Sequence, residues 1–216
     1  MATAAGVSQS PHRRSSSGLL FTLVFIGGAA LLVIGWAVSS YNRIVSADQE
    51  VRSRWAQVEN AYQRRADLVP NLVETVKGAA KFEQKTFTDV TEARARVGQL
   101  SSGDLSKALE NPETFQRFQQ AQQGLGASLS RLLAVSEAYP DLKATANFRE
   151  LQAQLEGTEN RIAVERMRFN ESARDYNTLL SRFPTMFIAR AFSDRFKGRP
   201  YFEATPEAQQ APPVRF

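Results

Sequence analysis

The sequence predicts an all-α protein in which one N-terminal transmembrane helix leads into a long antiparallel four-helix bundle. A single apolar run reaches spanning length, four later stretches repeat apolar residues every three or four positions, and no stretch alternates with the period of a strand. Of the 216 residues, about 40 belong to a leader and the apolar run, and the remaining ~175 fit one ordinary domain. The expected divisions are a disordered leader over 1–17, a transmembrane helix over 18–40, the bundle over 41–183, an aromatic and basic segment over 184–204 packed on bundle or membrane, and a flexible tail over 205–216.

The apolar run, Leu19 to Val38, lies inside a charge-free stretch from Ser15 to Asn42. A hydrocarbon core of ~30 Å needs roughly 20 helical residues, which this run supplies. Leu19, Leu20, Phe21, Phe25, Ile26, Leu31, Leu32, Ile34 and Val38 form the expected anchor, and Trp36 and Tyr41 fall where aromatic rings favour the headgroup layer. Arg13, Arg14 and the small residues around Ala37 would also suit a cleaved signal, but the apolar part of such signals is usually shorter.

Past the run, Ile44, Val51, Trp55, Val58, Tyr62 and Val69 follow the rhythm of a bundle helix, and no proline interrupts the chain before Pro70. Pro70 lacks a backbone donor and biases Val69 away from the α region, so the first helix is expected to end or kink near Asp67. A second helix is then expected from Pro70 to about Val97, with a loop over Gly98–Asp104 and a short helix over Leu105–Leu109. Asn111-Pro112 is a cap followed by a first-turn proline, and it opens a third helix that ends at Tyr139-Pro140. A fourth helix runs from near Asn147 to Phe183 with Phe148, Leu155, Ile162, Phe169 and Tyr176 on its stripe. The same heptad-like spacing permits pairing between chains, so a homo-oligomer is an open alternative.

Composition excludes several chemistries. There is no cysteine, and the one histidine, His12, precedes the apolar run. Thiolate metal sites, cysteine nucleophiles, a Ser-His-Asp triad and a Glu-x-x-His di-iron bundle are therefore absent from the folded part. No cofactor, metal site or catalytic residue is expected. The part after the run carries 25 basic and 22 acidic residues, a mixed surface unlike the concentrated positive field of a nucleic-acid binder.

The segment Arg64-Arg-Ala-Asp-Leu-Val-Pro-Asn-Leu-Val-Glu-Thr-Val-Lys-Gly78 resembles the signature of the LemA family of bacterial membrane-anchored helical proteins. Further co-linear matches are Tyr41-Asn42, Thr91-Glu-Ala-Arg94, Tyr139-Pro-Asp-Leu-Lys143, Leu155-Glu-Gly-Thr-Glu-Asn-Arg-Ile162, Tyr176-Asn177, Arg182-Phe-Pro184 and Lys197-Gly-Arg-Pro-Tyr-Phe-Glu203. The resemblance implies one N-terminal span and a helical bundle without established catalytic chemistry, in a family with a magnetosome-associated branch linked to membrane shaping.

Three groups of side chains are candidates for more than packing. Arg64, Arg65 and Asp67, with Glu74 and Lys77, cluster charge at the expected first joint; a salt-bridged turn capping both helices is favoured there over a partner-docking site. Glu159, Asn160 and Arg161 interrupt the fourth stripe, as a polar layer that fixes helix register would. Phe187, Phe192 and Tyr201 interleave with Arg190, Arg195, Lys197 and Arg199 in a segment that an up-down-up-down path returns to the membrane, so these residues either close the end of the bundle or meet lipid.

The function expected is a non-enzymatic scaffold or adaptor in the bacterial inner membrane, with its soluble part on the extracytoplasmic side. Its partners would be the bilayer and a membrane or envelope protein. The alternative is an extracytoplasmic sensor that binds a ligand between its helices.

Overall fold

The computed structural model describes residues 16–79, 84–100 and 107–203, and all regular structure in them is helical. The elements are α1 (Ser16–Ala79), α2 (Gln84–Gly98), α3 (Pro112–Ser136), α4 (Pro140–Lys143), α5 (Ala146–Ser181) and α6 (Met186–Ala191). The expected leader lies outside the described residues up to Ser15. So do residues 101–106, which take in most of the expected 98–104 loop and the start of the expected 105–109 helix, and the tail from 205.

One helix of 64 residues dominates. At ~1.5 Å per residue α1 is about 95 Å long, and its two parts live in different surroundings. From Leu20 to Val38 its large apolar side chains are open, from 38% exposed at Trp36 to 78% at Phe25. From Ser40 onward one face is buried, with Ile44, Val51, Trp55, Val58 and Tyr62 all at 6% exposure or less. The helix does not break where the environment changes, because nothing from Leu19 to Val69 costs it a backbone hydrogen bond.

The expected break at Pro70 is corrected: α1 continues through Pro70 to Ala79, and the second helix begins at Gln84 rather than Pro70. Proline in a helix interior removes the N–H that would bond the carbonyl four residues back and crowds that carbonyl. Here that carbonyl is Ala66 O, and Arg94 Nε from α2 donates to it at 3.1 Å. The acceptor that Pro70 orphans is thus satisfied from a neighbouring helix. Arg94→Met is expected to destabilise the chain by about 1–3 kcal/mol through the unpaired buried carbonyl. In a Pro70→Ala background the restored N–H should remove most of that cost, a coupling that a double-mutant denaturation cycle measures.

The helices pack antiparallel to their chain neighbours. Phe87 and Val90 of α2 join Val73 and Val76 of α1 in one buried cluster, while the C-terminal end of α2 returns towards Tyr62. Helix α3 runs back alongside α1, placing Phe115 and Phe118 beside Trp55 and Leu125, Leu129 and Leu132 beside Val69 and Val76. Helix α5 then descends against α1 so that Phe169 reaches Trp55. The starts of α3 and α5 are fixed locally: Asn111 Oδ1 accepts from the backbone N–H groups of Glu113 and Thr114 at 2.9 and 3.2 Å, and Thr145 Oγ1 accepts from that of Phe148 at 3.3 Å.

Candidate functional site

The charges expected to form a capped turn at 64–77 do something else, since no turn exists there. Arg65 is 4% exposed and crosses the helix pack. Its guanidinium donates to Gln122 O at 2.9 Å, to Gln122 Oε1 at 2.6 Å and to Glu159 Oε1 at 3.0 Å, and lies 5.0 Å from the Tyr62 ring centre. Gly126 lies beside it: a Cβ there would stand 3.5 Å from Arg65 Nη1, an ordinary van der Waals contact. This layer divides the core: the cluster around Trp55 ends at Tyr62, Phe118 and Ile162, and a second begins at Val69, Leu125 and Leu155. Of the expected polar layer only Glu159 takes part, while Asn160 and Arg161 are exposed. Arg64 reaches Gln154 at 3.4 Å and Asp67 accepts from Gln63 at 2.8 Å, both at the surface.

At the other end of the domain, residues 182–203 follow α5 and turn back along it. The first part, α6 and the turn after it, packs on α1 directly after the open apolar stretch: Phe192 and Phe196 lie 5.3 and 5.5 Å from the Tyr41 ring, and Arg195 covers that ring at 5.5 Å. Ala189 is buried and Ile188 packs inward. Phe183, Phe187 and Phe192 point out, at 72%, 55% and 48% exposure.

The second part, 196–203, is an extended strap. Phe196, Arg199 and Phe202 are buried at every third position. Two asparagines of α5 fasten it by clasping backbone. Asn177 accepts from Arg199 N–H at 2.8 Å and donates to Arg199 O at 2.9 Å, and Asn170 does the same for Phe202, both at 2.8 Å. Seven helical residues rise about 10.5 Å and three extended residues about 10 Å, so the two spacings match. Arg166 adds a bond to Glu203 O at 2.9 Å. Asn177→Ala should unpair both backbone groups of Arg199 and loosen the strap first; faster amide exchange at residues 199–203, with the rest of the domain unchanged, is the expected reading.

Beneath the strap, Arg199 is 1% exposed at its side chain. It ion-pairs with Asp48 of α1, donates to Leu109 O at 3.0 Å, lies 4.0 Å from Glu110 Oε1, and faces the Tyr176 ring at 5.4 Å. Arg52 holds both Asp48, at 3.0 Å, and Glu110, at 2.9 Å. Burial alone would raise the Asp48 pKa, but the hydrogen bonds and charges of Arg199 and Arg52 outweigh it and hold the group below its ordinary 3.8. Burial pushes the Tyr176 phenol up.

The expected interaction residues thus divide. Arg65 and Arg199 are inside the fold; Arg64, Asp67, Phe187, Arg190, Phe192, Arg195, Lys197 and Tyr201 are exposed. The strap takes in Phe196, Arg199 and Phe202, whereas Phe183, Phe187 and Phe192 stay outside. The clasping role of Asn170 and Asn177 was missed by sequence reasoning, although two asparagines seven residues apart on one helix face were a readable signal. Among the described residues no three Asp, Glu or His side chains converge as metal ligands.

Comparison with known proteins finds relatives along most of the chain. Magnetosome protein MamQ 2 of Paramagnetospirillum magneticum is 26% identical over 215 residues, covering 93% of this chain and 78% of its own length. Magnetosome protein MamQ of Magnetospirillum gryphiswaldense is 26% identical over 214 residues with the same coverage. Protein LemA of Metamycoplasma hominis is 22% identical over 177 residues, 80% of this chain and 72% of that one. Residues 54–216, which hold the Arg65 layer, the asparagine clasps and the strap, match the LemA family, and the chain belongs to it.

Proposed function

We propose that this chain is a non-enzymatic, single-pass membrane-anchored scaffold or adaptor that organises the bacterial envelope through protein or lipid contacts. The observation that carries the reading is the continuity of α1. A stretch long and apolar enough to cross a membrane, none of it buried, runs without a break into the helix on which the rest of the fold packs. The antiparallel course of α1, α2, α3 and α5 supports reading the domain as a four-helix bundle in the inner membrane's service, on the extracytoplasmic side. Relatives named as magnetosome proteins are consistent with a membrane-organising role.

The sensor alternative is weaker. At the level where a ligand would sit between helices, the rings of Trp55, Phe115, Phe118, Phe169 and Phe202 fill the space. Photo-crosslinking of the full chain in native membranes, combined with a compartment-restricted reporter at its C-terminus, tests the scaffold reading. A reproducible adduct with itself or one envelope protein supports it. Recovery of the chain in the soluble fraction, or turnover of a substrate by the purified protein, overturns it.

A further inference from the structure

We propose that the outward face of residues 183–197 is a lipid-binding collar that inserts its phenylalanines into the headgroup layer of the bilayer crossed by α1 and holds anionic lipid headgroups with its cations. This deepens the membrane-anchored reading and rests on it. The first ground is position. The headgroup layer occupies about 5–8 Å on each side of the hydrocarbon, which is roughly four or five residues of helix beyond Val38. Tyr41 of α1 carries the ring contacts of this part of the chain, and Ser40 and Ile44 beside it are buried. The collar is therefore held at headgroup depth by the same helix that anchors the chain.

The second ground is the chemistry of the exposed face. Phe183 and Phe187 form an edge-on pair with centroids 5.9 Å apart, and both remain open to solvent together with Phe192. Three open phenylalanines at this depth, with Tyr201 of the strap the other exposed ring among the described residues of the domain, are suited to the membrane interface. The third ground is charge. From Arg182 to Arg199 the chain has five basic residues and one acidic residue, Asp194. Asp48 takes up Arg199, and among the described residues Arg182, Arg190, Arg195 and Lys197 have no carboxylate partner. Elsewhere among the described residues some cations pair with acids, Arg52, Arg54, Lys85 and Arg168 among them, and others, such as Arg131, Arg149 and Arg161, do not, so what distinguishes this segment is its excess of basic over acidic residues. Unneutralised cations beside open rings fit an anionic, amphipathic surface.

The absence of cysteine allows a direct test with the full-length chain. Phe187→Cys carries one environment-sensitive fluorophore, Ser130→Cys on α3 carries the same probe far from the span, and each protein is placed in nanodiscs of phosphatidylcholine alone or mixed with phosphatidylglycerol. The expected result is a blue-shifted signal at position 187, quenched by lipid spin-labelled near the headgroup and shielded from iodide, and stronger with phosphatidylglycerol. Neutralising Arg190 or Lys197 to Gln should lower the ratio of inserted to free collar about fivefold per charge. Phe183→Cys repeats the measurement if Phe187→Cys does not fold.

A probe at 187 as open to iodide as the one at 130, in a chain that stays in the disc, overturns the collar and leaves the anchor intact. Equal insertion with and without phosphatidylglycerol overturns the assignment to anionic headgroups. A chain that does not enter the disc overturns the anchor itself.

Discussion

Asp48→Ala is expected to destabilise the folded domain by about 3–5 kcal/mol, because it leaves the Arg199 guanidinium buried without its counter-charge. Glu110, 4.0 Å away and half open, compensates poorly. The pH dependence follows from the same contact. Asp48 has a lower pKa folded than unfolded, so its contribution is complete above the unfolded value and disappears as pH falls through the folded one. Wild-type protein should therefore lose stability below about pH 4, and Asp48→Ala should lose less over that interval. Replacing both partners, as Asp48→Leu with Arg199→Met, should cost much less than the single change, since an apolar pair avoids the desolvation of both ions. Denaturant melts of the detergent-solubilised chain at several pH values separate these outcomes. A full loss in the double variant would mean that the Arg199 hydrogen bond to Leu109 O and the Arg52 hydrogen bond to Asp48 matter more than the pair's charge.

Trp55→Ala should cost about 3–5 kcal/mol, at the upper end for a buried aromatic. Its ring contacts Phe115 and Phe118 of α3, Phe169 of α5 and Phe202 of the strap, with centroids 5.1–6.0 Å apart. Phe115, Phe169 and Phe202 also contact one another, so the cavity would open inside a ring cluster shared by four elements and cannot be closed by moving one neighbour. The loss should appear in the unfolding midpoint and as exposure of the strap, read by proteolysis near Phe202. A variant with an unchanged midpoint would show that the helices can collapse onto the gap.

The apolar period of α1, the Asn111 cap and the near-absence of strand signals were legible because each is encoded within a few residues. What misled was tertiary supply. Pro70 carries a strong local stop signal, and nothing near it announces that Arg94, 24 positions later, will satisfy the Ala66 carbonyl. Once the helix continues, the Arg64–Asp67 charges lie on its flank instead of in a turn, and Arg65 faces Glu159 and Gln122 from distant stretches. The basic and aromatic segment was recognisable as a unit. Its division into buried and open residues was not, because that depends on the clasp of Asn170 and Asn177.

The jointless passage of α1 from its open apolar part into the domain also has a mechanical consequence. Residues 38–79 extend about 60 Å along the axis, so the helix acts as a lever whose fulcrum lies at the bilayer surface. A span tilted by ~20°, an ordinary value, would swing the α1–α2 end sideways by about 20 Å. The protein would then convert small changes in local bilayer thickness or crowding into a large displacement at its far tip.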